Sequence, residues 1–264
     1  MMSLSVIIPN YNNEKFIRKC LDSVLSQTLQ PNEIIVVDDC SKDNSVAIIK
    51  DYEEKYPNIK GVYLEHNGGV SHARNTGILA STSEYVTTLD ADDFYFNNQK
   101  LENEMKLLSE KGGNALTYSK IVYCDEEDNI IRYLDYKKSE YFEGNLHIAL
   151  LTEKVRRTLM RDCVFPRQTI IDAGLYDETS CLFEDYDILI RLAEKLPFYC
   201  TFEYGTAYRQ KAFGLSQKSD AEIRSAKTKS IEKNLANLPF FKRVYCKAYR
   251  SVYNILIQIY KKIK

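Results

Sequence analysis

Tryptophan is absent from the 264-residue chain, histidine occurs three times, proline six times and glycine ten times. Each shortage closes a route. His66, His72 and His147 have no partner at a spacing such as HExxH, which excludes the zinc chemistry of two histidines on one helix face. The seven cysteines form no CxxC pair and no zinc-ligand spacing, so they are expected as free thiols in a reducing compartment. No apolar run reaches the length that spans a bilayer, and the start Met-Met-Ser-Leu-Ser-Val-Ile-Ile-Pro lacks the basic region and long apolar core of a secretory signal. A cytoplasmic chain without a spanning helix is the expectation. Acids and bases nearly cancel, at a formal net charge of -1, so no global field recruits nucleic acid. A GxGxxG fingerprint, a P-loop and a Ser-His-Asp order are missing, which argues against NAD enzymes, P-loop NTPases and serine hydrolases.

What is present is length and rhythm. With 44% hydrophobic residues the chain can bury one large core and still carry an appendage. Its first third alternates short β-rich runs with helical periodicity, the pattern of an α/β fold whose mostly parallel central sheet is flanked by helices. Strands are expected at 4–8, 34–37, 61–64 and 85–89, and helices at 14–27, 46–57, 70–80 and 100–111. The first helix is predicted because Ile17, Cys20, Leu21, Val24 and Leu25 recur at three- and four-residue steps. After Gly112-Gly113 the parallel rhythm ends. Two β-rich stretches around the acidic turn 125–129 predict a hairpin, the stripe from Ile188 to Leu196 predicts a helix stopped by Pro197, and 198–202 reads as a strand.

Polar residues gather where the strands end. The exits read Pro9-Asn10-Tyr11-Asn12-Asn13, Asp38-Asp39-Cys40-Ser41, Glu65-His66-Asn67-Gly68-Gly69 and Asp90-Ala91-Asp92-Asp93. Loops leaving the carboxyl edges of an open α/β sheet converge on one crevice. Carboxylates crowded after a buried strand repel unless water or a cation shares their charge. A divalent ion held by one or two of them completes its shell with water and phosphate oxygens. An acid-rich turn capping the next helix would show the same letters. Asp38 and Asp39 can accept from a ribose hydroxyl or a base N–H, or cap a helix. Tyr11 offers a face for stacking, or is one loop tyrosine among twenty. Gly68-Gly69 opens a helix whose backbone N–H groups, with Arg74, can face a phosphate. Farther on, Phe183-Glu184-Asp185-Tyr186-Asp187 places acids at a helix start, where the dipole favours them with or without a function.

In order and spacing, up to about residue 210, five segments resemble glycosyltransferase family 2. They are Val6-Ile7-Ile8-Pro9-Asn10-Tyr11-Asn12, Ile35-Val36-Val37-Asp38-Asp39-Cys40-Ser41-Lys42-Asp43, the run from Asn67 to Gly77, Leu89-Asp90-Ala91-Asp92-Asp93 and Glu184-Asp185-Tyr186-Asp187. The resemblance implies a Rossmann-like nucleotide-diphospho-sugar transferase fold, an inverting reaction and a Mg²⁺ or Mn²⁺ requirement. It divides the chain into a glycosyltransferase domain at 1–215, with a nucleotide-binding half at 1–111 and an acceptor-binding half at 112–215, and a C-terminal helical extension at 216–264. By the same resemblance Pro9, Tyr11 and Asp39 bind the base, usually uracil, with Asp38 a second candidate. Asn67 and Arg74 lie near the nucleotide. Asp90 and Asp92 fill the DxD pattern, with the metal on Asp92 or Asp93 and the other acid, with Asp90, on ribose or sugar. Asp185 matches the catalytic base and Glu184 stands beside it on the acceptor side. Tyr208-Arg209-Gln210-Lys211 departs from the family's Tyr-Arg-x-His text, and a protonated lysine pairs with phosphate oxygens rather than ligating a metal. The processive Gln-x-x-Arg-Trp signature is absent. The implied activity is transfer of one sugar from a UDP-sugar to a glycan or lipid-linked glycan, in assembly of a cell-surface polysaccharide or glycoconjugate. A non-catalytic nucleotide-sugar-binding protein on the same fold is the alternative.

Beyond Pro239 no acid occurs, and Phe241, Val244, Tyr245, Ala248, Val252, Ile255, Ile259 and Ile263 recur at helical spacing among lysines and arginines. Such a basic amphipathic helix either lies on an anionic membrane, here the inner face of the plasma membrane, or packs on its own domain with a solvated basic face. Arg156, Arg157 and Arg161 can meet a phosphate on a lipid-linked acceptor, or form a solvated surface.

Overall fold

The computed structural model describes residues 2–134, 143–154, 162–180, 182–211 and 219–263. Arg156, Arg157 and Arg161 lie outside them. Leu4–Asn10 forms β1, seven consecutive buried residues, as expected for a strand covered on both faces. It is followed by α1 (Ile17–Leu25), β2 (Glu33–Asp38), α2 (Ser45–Lys55), β3 (Ile59–Tyr63), α3 (Val70–Ala80) and β4 (Tyr85–Thr88). The strands lie in the order β3-β2-β1-β4, all parallel. Every element anticipated for this half is present, with ends displaced by a few residues at most.

Two residues show how this sheet tolerates its motif. Along β1, the Ile7 carbonyl accepts from Leu89 on the β4 side, whereas the Asn10 carbonyl accepts from Asp39 on the β2 side. Pro9 shares the parity of Ile7, and β4 has ended at Thr88, opposite Ile7. The missing N–H of Pro9 therefore faces a position where the ladder has stopped. On α3, a side chain at Gly77 would collide with Ile7 Cγ2 and press on Val37 Cγ2 at 3.1 Å, so glycine permits the helix to lie directly on β1 and β2.

The second half contains β5 (Phe94–Tyr95), α4 (Lys100–Glu110), β6 (Leu116–Cys124), β7 (Ile130–Tyr133), α5 (His147–Leu151), β8 (Phe165–Pro166), α6 (Arg167–Asp172), α7 (Glu184–Lys195) and β9 (Phe198–Arg209). β8 joins the first sheet antiparallel to β4, and a second sheet has the order β5-β9-β6-β7. The expected hairpin is β6 and β7, its turn held by Asp125, which accepts from the N–H of Glu127 and of Asn129. Two expectations change. β6 pairs parallel with β9, so parallel pairing does not end at Gly113, and β9 continues to Arg209 rather than stopping at 202. Phe202 adopts a left-handed φ of 61° and the β6–β9 register shifts beside it. A bulge exchanges the faces of a strand and breaks the alternation by which a strand is read.

Lys100 and Glu104 form a fully buried ion pair at 3.0 Å between the sheets, and Lys100 also donates to the Asp162 carbonyl at 2.8 Å. Burial dominates at Glu104 and pushes its carboxyl up to about 7 despite Lys100 and the Ser119 hydroxyl.

The C-terminal extension consists of α8 (Asp220–Ala236) and α9 (Phe240–Ile263). Ser219 and Glu222 cap α8 reciprocally, and Asn234 donates to Asp187 on α7 at 2.8 Å. α9 is seated through buried Cys246, through Arg250 on Glu153 at 3.3 Å, and through Tyr249 beneath Lys154. Of the anticipated apolar stripe, Phe241, Val244, Tyr245, Ala248 and Val252 point to solvent, and the side chains of Ile255, Ile259 and Ile263 lie outside the described residues. Packing thus uses the other side of the helix.

Glu33, at the start of β2, fastens the α3–β4 connection. It accepts from Ser5, from the N–H and hydroxyl of Thr82, and from Ser83. Burial acts upward on its carboxyl, but these hydrogen bonds outweigh it and pull the carboxyl down from 4.5 to about 2. A depressed acid contributes stability that is complete above its unfolded value and is lost as pH falls through its folded value. Glu33→Gln is therefore expected to be less stable than the parent at neutral pH in urea unfolding, with the gap closing between pH 4.5 and about 2. A gap that stays constant through this window would refute the assignment.

Candidate functional site

A cavity of about 670 Å³ opens at the carboxyl ends of β1, β2 and β4, faced by the start of α7 and the residues after β9. Pro9, Tyr11, Asp39, Asn67, Arg74, Asp90, Asp92, Glu184, Asp185 and Lys211 all border it. Residues as far apart in sequence as Pro9 and Lys211 are thus brought together. Asp38 and Asp93 are buried behind its wall.

Asp38 accepts from the Asn10 side-chain amide at 2.8 Å and from the Ser41 N–H at 2.9 Å, and so joins the β1 and β2 exits. Asp39 receives the N–H groups of Gly68 and Gly69 on its two oxygens at 2.7 and 2.8 Å. The glycine pair, read in sequence as phosphate-facing, spends these amides on Asp39. Gly69 has φ +85°, which glycine adopts without strain as it opens α3. Asn67 donates to the Asp39 carbonyl at 3.1 Å. Tyr11 stands at the rim, 46% exposed, with a ring face available for stacking.

Arg74 is the centre of the site. Its guanidinium donates to Asp90 Oδ1 at 2.6 Å and to Glu184 Oε1 at 2.9 Å, and its Cζ lies 5.3 Å from the centre of the Tyr176 ring. Burial opposes the charge, but Asp90, Tyr176 and Glu184 outweigh it and hold the group well above the usual guanidinium value. Its Nε is buried and makes no hydrogen bond among the described residues. At Glu184, burial and the charge of Asp185 push the carboxyl up, while Arg74 pulls it down less strongly.

The acids at the start of α7 have separate surroundings. Glu184 is committed to Arg74, whereas Asp185 borders the cavity and accepts from the Tyr186 N–H at 2.7 Å. Asp187 points away, buried against Arg191 and Asn234. Phe183 precedes them at a φ of 64°, a conformation that costs a bulky residue about 1–3 kcal/mol and turns the helix start toward the cavity.

One carboxylate oxygen from each of Asp90, Asp92 and Asp93 lies within 4.8 Å of the others. Asp93 accepts the Arg209 N–H at 2.8 Å, and the Arg209 side chain donates to the Asp92 carbonyl, the Asp125 carbonyl and Asp128. The acid run is thereby locked to the end of β9. Lys211 reaches Asp92 Oδ2 at 2.7 Å. Three hard oxygen donors at this spacing fit a hard divalent ion such as Mg²⁺ or Mn²⁺.

Sequence reasoning assigned no role to Tyr176 or Arg209. Tyr176 falls in a stretch without a motif. Asn75, within the Gly68–Gly77 text, holds it in place by bonding the Tyr176 N–H and C=O, both at 2.9 Å. Arg209 stood in a quoted motif, but its work is to clamp loops, which spacing does not announce.

An acid cluster at the carboxyl edge of a Rossmann-like parallel sheet is the layout of the nucleotide-diphospho-sugar transferase fold. A family model described as Glycosyl transferase family 2 matches residues 5–170. An uncharacterised glycosyltransferase of Rickettsia typhi is 32% identical over 206 residues, covering 76% of this chain and 61% of the relative. One from Rickettsia felis is 30% identical over 204 residues, covering 74% of this chain and 32% of the relative, so the chain spans only part of these proteins. S. aureus TarS 1–349 in complex with UDP-GlcNAc shares the fold, with a TM-score of 0.73 at 20% identity over 94% of this chain and 70% of that one. The chain belongs to glycosyl transferase family 2. Among its described residues no helix is long and apolar enough to cross a membrane.

Removing Arg74 takes from both Asp90 and Glu184 the buried guanidinium that each of them bonds. Arg74→Ala is expected to cost about 3–5 kcal/mol in urea unfolding, with Arg74→Lys recovering only part because an ammonium cannot serve both carboxylates as a fork does. An Arg74→Ala protein as stable as the parent would contradict the central position given to this group.

Proposed function

We propose that the chain transfers one sugar, with inversion, from a UDP-sugar to a hydroxyl of a glycan or lipid-linked glycan during assembly of a cell-surface polysaccharide or glycoconjugate. The observation that carries this reading is the gathering of Asp39, Arg74, Asp90, Asp92 and Asp185 around one cavity. The TarS complexes contain UDP and UDP-GlcNAc, which supports a uridine donor here.

In this reading residues 1–111 bind the donor and residues 112–215 the acceptor. Pro9, Tyr11, Asp39 and Asn67 take the base and ribose, with Asp38 bracing their loops. Asp90 faces the ribose or sugar, Lys211 the diphosphate and Glu184 the acceptor. Asp92 and Asp93 are the candidates to hold Mg²⁺ or Mn²⁺, which when bound acts as a Lewis acid on the departing diphosphate. Asp185 removes the proton of the acceptor hydroxyl as that oxygen attacks the anomeric carbon, and the bond to the diphosphate breaks on the opposite face. An α-linked donor becomes a β-glycoside.

A screen of nucleotide sugars for hydrolysis identifies the donor, and Asp185→Asn then tests the mechanism. Loss of the base is expected to lower turnover about 10²–10⁴-fold with UDP binding unchanged. Near-parental turnover in the folded variant would remove Asp185 from the reaction. UDP binding by the parent without hydrolysis or transfer would favour a binding-only protein.

α9 supports a further element of the same reading, peripheral attachment to the inner face of the plasma membrane. Phe241 is 85% exposed and Val244 and Tyr245 are about half exposed, beside Lys242 and Lys247. An apolar stripe flanked by cations matches an anionic lipid surface, with each basic residue contributing about 1 kcal/mol. Phe241→Asp with Val244→Asp should abolish sedimentation with phosphatidylserine vesicles and leave the fold intact. Binding that survives would exclude this surface.

A further inference from the structure

Each acid of the run has its own protein partner. Asp90 has the Arg74 guanidinium, Asp93 the Arg209 N–H, and Asp92 the Lys211 ammonium. Mutual repulsion, the usual reason for such a cluster to recruit a cation, is therefore relieved in large part by the chain itself. Lys211 is anchored by three side chains from two segments, the acid run and the β1–α1 connection. Its Nζ lies 2.7 Å from Asp92 Oδ2, 3.1 Å from Asn13 Oδ1 on the β1 exit, and 4.8 Å from the centre of the Phe16 ring. The side chain is about three-quarters buried, and the residue lies on the cavity wall. This is a positioned charge rather than a solvated surface lysine, and its contact with Asp92 is that of a charge-assisted hydrogen bond.

We propose that Lys211 is a resident cation of the acid cluster. It holds Asp92 in the resting site, competes there with a divalent metal, and presents a fixed positive charge to the diphosphate of the donor. Nucleotide binding then persists without added metal. A lysine suits this task because its compact charge rides on a flexible four-carbon stem and can turn from a carboxylate to a neighbouring phosphate oxygen while staying in the cavity. The inference rests on the proposed nucleotide-diphosphate reading of the cavity.

Calorimetry on the full chain tests it with three titrations: Mn²⁺ alone, UDP in EDTA, and UDP with Mn²⁺. Lys211→Met keeps the length of the stem and removes the charge, and Lys211→Arg keeps the charge. Relative to the parent, Lys211→Met should bind Mn²⁺ alone about tenfold more tightly and lose about tenfold or more of its UDP affinity in EDTA, while Lys211→Arg stays within about threefold. With Mn²⁺ present the Lys211→Met loss should shrink.

Lys211→Met, shown by its thermal melt to be folded, that equals the parent in all three titrations would overturn the proposal. So would a parent that binds UDP with Mn²⁺ but not in EDTA, an outcome that leaves the nucleotide-sugar reading standing and needs no variant. A parent that binds UDP under neither condition would remove that reading and this inference together.

Discussion

The buried guanidinium of Arg74 is the constraint on which the site depends. It joins Asp90, at the exit of β4, to Glu184, at the start of α7, and so connects the parallel sheet to the helix that carries Asp185. A charge with so little access to water is tolerated only when paired and hydrogen-bonded. Here two carboxylates and an aromatic face meet that condition. The same pairing separates the neighbours Glu184 and Asp185. Both border the cavity, but Glu184 is held by the arginine and Asp185 stands outside that pair.

A second clamp acts at the other end of the acid run. Asp93 and Arg209 tie β4's exit to the end of β9, and β5, immediately after the run, pairs with β9. The bulge at Phe202 carries β9 on to Arg209, just before Lys211. Were the strand to stop where its alternation stops, neither residue would reach the acid run. The cavity is thus enclosed by two sheets, with α3 and α7 bracing its walls.

The parallel half was readable because each of its elements is specified locally. Alternating apolar runs, three- and four-residue helical steps and Gly69 all act within a few residues of themselves. The short strands β5 and β8 were not readable. Two residues carry no periodicity, and their pairing with β9 and β4 is set by distant chain. The parallel pairing of β6 with β9 escaped for the same reason. Of the candidate residues, those at strand exits were legible because an α/β sheet gathers its carboxyl-end loops in one place. Tyr176 was not, since its position is set by Asn75, a hundred residues earlier in the chain.

Pattern alone determined the class of fold, the edge of the sheet at which polar residues meet, and the family that those residues resemble. Tertiary structure decided how the charges are shared. It placed Asp38 and Asp93 behind the wall and turned the glycine amides onto Asp39. It set Lys211 against Asp92, and it seated α9 through Cys246 with Phe241, Val244 and Tyr245 outward. The physical reason is range. Periodicity and turn chemistry are properties of neighbours in sequence, whereas a buried charge selects its partners in space, by distance and by the loss of water.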